Sequence, residues 1–103
     1  MTLGRKHRKP VDFMPKTVAE AVDRLVAGLS EDERRRLRDM AKEDLILLHH
    51  TWGLGIRNKF GLWGENEALV ESLPPEHRFA DDASMFLIEA AWERLRGGGS
   101  SDR

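Results

Sequence analysis

His49-His50-Thr51-Trp52-Gly53-Leu54-Gly55-Ile56-Arg57-Asn58-Lys59-Phe60-Gly61-Leu62-Trp63 sets two histidines, two tryptophans, three glycines and an Arg-Asn pair within fifteen residues. Leu45, Leu48, Trp52, Ile56 and Phe60 recur at helical spacing, so the stretch reads as the second half of a helix starting near Glu43-Asp44. Gly61 is placed as its C-cap. Two glycines inside that helix cost roughly 2 kcal/mol relative to alanine. The expected return is close approach by a large ring, with Trp92 or Phe86 packed over Gly53 and Gly55, or a kink between Thr51 and Ile56.

The flanking sequence supplies further helices and no strand. Val18, Ala21, Val22, Leu25, Val26 and Leu29 repeat at helical spacing, with Thr17 as N-cap and Glu20 three residues on. Ser30-Glu31-Asp32-Glu33 is a second capping box, opening a short charged helix through Arg34-Arg35-Arg36-Leu37-Arg38. An RNA-binding patch is the alternative reading of those arginines, but neighbouring acids neutralise it. Asn66 caps a short helix from Glu67 to Leu73, which Pro74-Pro75 ends, and Glu76–Ala80 reads as loop. The last helix, Asp82 to Leu95 with Asp81 or Asp82 as cap, is apolar nearly all round and is therefore expected at the centre. The expectation is an all-α domain of four to five helices over residues 17–96. A basic tail or arm (1–16), disordered apart from Val11, Phe13 and Met14, precedes it, and a flexible Gly/Ser tail (97–103) follows.

Composition narrows the functional classes. The chain has 103 residues, enough for one domain, with 40% hydrophobic and 34% charged residues. It has no cysteine, hence no disulfide framework and no thiolate nucleophile or ligand. The longest apolar run, Leu45–Leu48, is too short for a bilayer, and the basic start meets Pro10 and Asp12 instead of an apolar signal segment. A cytoplasmic protein with no membrane association is expected. Residues 1–16 carry five Lys/Arg against one Asp, a charge of +4, and residues 17–103 carry twelve Lys/Arg against seventeen Asp/Glu, a charge of −5. Weak nucleic-acid binding through residues 5–9 is a third-ranked reading, because no aromatic stacking platform accompanies the cations.

His49 and His50 are adjacent, about 100° apart on a helix, and do not chelate one metal together. Gly53-Leu54-Gly55 lacks the third glycine, the preceding strand and the G-K-[ST] of a phosphate loop. No metal and no cofactor is expected. Arg57 lies between the core positions Ile56 and Phe60, so burial is expected to demand a carboxylate. Asp81 or Asp82, then Ser84, are the partners in reach by sequence logic. A bidentate Arg57–Asp82 pair would be a structural clip between the third and last helices. The competing reading is a small-anion pocket, binding or catalytic, on His49, Arg57, Asn58 and Asp82. Its catalytic form would use His50 as base, but no Ser or Cys nucleophile has a recognisable setting. Trp63, in a Gly-flanked turn, and Asn66 are the candidate interface residues. The leading functional expectation is a non-enzymatic module that binds another protein or a second copy of itself.

Leu48-His49, Gly53, Ile56-Arg57-Asn58, Phe60-Gly61-Leu62-Trp63, Asp81-Asp82-Ala83-Ser84 and Trp92 together resemble an uncharacterised family of small bacterial proteins, a domain of unknown function. The resemblance starts at Pro15-Lys16-Thr17-Val18 and covers residues 15–96. It implies bacterial origin and a helical domain, and no activity, substrate or partner. The chain departs from that pattern at His50-Thr51-Trp52, which weakens a role for His50 more than one for His49, Arg57, Asn58 or Asp82.

Overall fold

The structure, a computed structural model, describes residues 14–97. The readings of residues 1–13 and 98–103 lie outside them. Among the described residues there are five α-helices and no strand. Helix α1 (Val18–Ala27) starts where Thr17 Oγ1 accepts from the Glu20 amide at 3.1 Å. Helix α2 (Glu31–Asp39) starts at a reciprocal capping box: Ser30 Oγ accepts from Glu33 N, and Glu33 Oε1 accepts from Ser30 N. Arg34 and Arg35 of α2 are drawn into local contacts. Arg34 Nε donates to Val26 O at 3.1 Å, and Arg35 pairs with Asp32 at 3.0 Å.

The motif helix is present but is not a uniform α-helix. Lys42–Leu48 winds as 3-10 helix, His49–Gly53 as π-helix, and only Leu54–Lys59 (α3) is α-helical. Tight 3-10 winding and wide π winding offset each other in part, so the α-spaced stripe still ends on one side. Leu45, Ile56 and Phe60 are buried, with Leu48 and Trp52 half-buried beside them. Gly61 ends the segment at φ +70°, a conformation glycine adopts without strain. A β-carbon there would also sit 3.0 Å from Met14 Sδ and 3.1 Å from Asn66 Cβ.

Asn66 caps α4 (Glu67–Ser72) by accepting from Leu69 N, and a 3-10 turn, Pro75–His77, follows. The last helix, α5 (Ala80–Leu95), starts two residues earlier than the sequence suggested. Phe79 takes the N-cap position with no side-chain hydrogen bond, so Asp81 and Asp82 fall in the first turn, where carboxylates suit the helix dipole. Its centrality holds: α5 packs against α1, α2, α3, the 3-10 and π segments and the Pro75–His77 turn. Ala83, Ser84, Leu87, Ile88 and Ala91 are its buried face. At its far end Trp92 Nε1 donates to Met40 O at 2.9 Å, tying α5 to the end of α2.

Candidate functional site

Arg57 is 5% exposed, the most buried charge among the described residues. A helical side chain leans toward the N-terminus over the residue four positions earlier. For Arg57 that residue is Gly53, and the guanidinium lies over it: a β-carbon on Gly53 would stand 3.2 Å from Arg57 Nη1 and 3.5 Å from Ser84 Oγ. The ring expected over the glycines is absent. Gly53 admits the arginine instead, while Gly55 is exposed, with nothing within 4 Å of its missing β-carbon. Trp92 is engaged with Met40 O, and Phe86 lies against His77 with ring centroids 5.1 Å apart.

The guanidinium draws acceptors from two elements. Nη1 donates to Ser84 Oγ at 2.9 Å, and Ser84 Oγ donates onward to Asp81 O at 2.9 Å. Nη2 reaches back eight residues to His49 O at 3.4 Å, at the mouth of the π turn. Nε lies 3.6 Å from Asp81 Oδ1 without a hydrogen bond. The carboxylate beside Arg57 is therefore that of Asp81. Asp82 is exposed and makes no ion pair with Arg57, which corrects the expected bidentate clip. The periodicity of α5 explains the choice, since Asp81 lies three residues before the buried Ser84 that Arg57 contacts, on the same side of the helix, and Asp82 falls beside it. Asp81 is 65% exposed, so the ion pair alone contributes less than about 1 kcal/mol. The neutral acceptors and packing do most of the holding.

Trp63 closes the outer side of this arrangement. It is 56% exposed, yet Nε1 donates to Asn58 Oδ1 at 2.7 Å and the ring centroid stands 5.7 Å from Arg57 Cζ. Leu54, 44% exposed, lies one turn before Asn58 on the same helix face. Phe79, 79% exposed, immediately precedes the first turn of α5, which carries Asp81. Asn66, the other candidate interface residue, is not on this surface. It is 1% exposed, donating to Pro15 O at 2.8 Å and Phe60 O at 3.0 Å while accepting from Leu69 N. A buried amide with every contact internal is a structural tie.

The anion-pocket residues separate. Arg57 is enclosed, Asn58 is exposed and occupied by Trp63, Asp82 points elsewhere, and His49 is half-buried with Nδ1 unpaired. His50 is exposed and meets His49 edge-on at 5.0 Å. Ser84 Oγ, fully buried and bonded on both sides, is not set up as a nucleophile. Among the described residues no group of three or more His, Cys, Asp or Glu is placed to hold a metal ion. No described helix is long and apolar enough to cross a membrane.

Sequence reasoning missed the Gly53–Arg57 relation and the burial of Asn66. The first had a signal, a glycine four residues before an arginine on a core-facing stripe. The second depended on Pro15, 51 residues away. No curated protein and no solved structure matches the chain. The model of a family described as a domain of unknown function (DUF6794) matches residues 14–95, and the chain belongs to that family.

Proposed function

We propose that this domain is a non-enzymatic module that binds another protein through the face formed by Leu54, Asn58 and Trp63. The observation that carries the reading is the state of Trp63. An exposed indole set over a guanidinium and hydrogen-bonded at its edge to an amide is oriented before any partner arrives. Such a side chain offers a large contact area at low ordering cost, the property of an interface anchor. Exposed Leu54 extends the apolar surface. Buried Arg57, hydrogen-bonded to buried Ser84, serves as its footing.

Affinity capture from cells, with wild-type, Trp63→Ala and Leu54→Glu proteins side by side, tests this reading. A protein retained by the wild type and lost with both variants, each keeping the wild-type melting temperature within a few degrees, supports it. Leu54→Glu leaves the setting of Arg57 untouched, so a fold defect in Trp63→Ala does not blunt the test. The same retained set for all three proteins would overturn the proposal.

A further inference from the structure

Between Lys42 and Leu48 the 3-10 winding stacks side chains three residues apart into rows. Leu45 and Leu48 form the inward row, buried and half-buried. Glu43 and Ile46 form another row, which meets α5 at an open groove of about 440 Å³. Met85 and Glu89, one turn apart on α5, are the opposite wall, and Lys42 completes the lining. The motif segment and α5 run antiparallel, with Met40 against Trp92 and Arg57 against Ser84. Ile46 and Met85 therefore form an apolar end of the groove, and Glu43 and Glu89 an acidic end. Ile46 is 57% exposed and Leu47, next to it, 70%. Among the described residues neither carboxylate has an ion-pair partner, and Lys42 pairs with neither. Asp44 and Asp82, both exposed, add negative charge beside Glu43 and one turn before Met85. The cations further along α5 are engaged elsewhere: Arg94 pairs with Asp23 at 2.7 Å, and Arg96 donates to Arg38 O and lies over Trp92.

We propose that this groove seats a basic amphipathic helix of another protein, one that carries a bulky apolar residue and a Lys or Arg one turn apart. The apolar residue fills the end between Ile46 and Met85, and the cation lies between Glu43 and Glu89. Charge complementarity selects this occupant, because two carboxylates with a single lysine beside them attract a cation and repel an acidic segment. The exposed Ile46 and Leu47 supply the apolar contact that charge alone does not give. The groove does not rest on the Trp63 face, since Met85 and Glu89 lie one and two turns beyond Asp81 on α5.

A fluorescein-labelled amphipathic peptide of leucine and lysine, titrated with the full chain and read by anisotropy, tests the inference. Saturable binding is the result expected, weakened about fivefold by Ile46→Ser and about tenfold by Glu43→Lys combined with Glu89→Lys. None of the three positions is buried, so the variants should keep the wild-type melting temperature within a few degrees. The double charge reversal should also gain affinity for the matching peptide of leucine and glutamate, a response that a purely structural role would not produce. Equal binding of polylysine, or unchanged affinity in both variants, would overturn the proposal. So would binding that appears only after Arg5, Lys6, Arg8 and Lys9 are replaced by glutamine, which would give the groove to the chain's own N-terminal segment.

Discussion

Helix α5 and the motif segment are nearly equal in length and pack against each other, yet they are built in opposite ways. Helix α5 keeps one hydrogen-bonding pattern for 16 residues and buries a face of Ala83, Leu87, Ile88 and Ala91. Its single buried polar group, Ser84, is satisfied from both sides. The motif segment changes pattern twice between Lys42 and Lys59 and buries a full charge. Apolar side chains ask only for contact, which a regular helix supplies along its length. A guanidinium asks for acceptors at fixed directions, and the space and carbonyl come from the irregular part, Gly53 and His49 O. The difference teaches that irregularity in this fold is concentrated where a buried cation must be accommodated.

The largest expected effect lies on the regular side. Leu87 has no exposed surface, and Leu87→Ala in α5 should cost about 3–4 kcal/mol in chemical denaturation, mostly through an unfilled cavity. Arg57→Ala should cost somewhat less, about 2–3 kcal/mol. It removes packing as well as charge, and it strands no buried acid because Asp81 is largely exposed. Arg57→Met should recover more than half of that loss by refilling the volume. Equal losses for Arg57→Ala and Arg57→Met would show that the charge, not the packing, holds the segment. The contrast with α5 would then be sharper still.

The helices of this fold were legible because their signals are local. Thr17, Ser30 and Asn66 each cap the helix that follows them, and the apolar periods of α1 and α5 point where the core lies. The motif segment was legible as a helix with a buried stripe but not as a 3-10 and π winding, because that winding goes with a contact between Arg57 and a carbonyl eight residues back, which no local spacing announces. Burial of Arg57 and a partner at the start of the last helix could be read from spacing. Which carboxylate was a matter of one residue of phase, and the start of α5 at Ala80 instead of Asp82 is part of the same shift. Exposure of Trp63 followed from its glycine-flanked turn; its footing on Arg57 and Asn58 required three-dimensional proximity.

The two glycines divide the motif segment in the same way that the two regions divide the fold, and they give the smallest but cleanest effects. Gly53→Val should cost about 1–3 kcal/mol, since branched carbons would enter space held by Arg57 Nη1, Leu48 O and Ser84 Oγ. Gly55→Ala meets nothing within 4 Å, sits at an exposed helical position with ordinary negative φ, and should stabilise by about 0.5–1 kcal/mol through helix propensity alone. Combining Gly53→Val with Arg57→Ala provides the decisive arm. If Gly53 is small to admit the guanidinium, the double variant loses clearly less than the two single losses added, because the arginine that the valine would displace is already gone. Additive losses would mean that the backbone of the π turn itself requires glycine, and the irregularity would then belong to the chain path and not to the cation it accommodates.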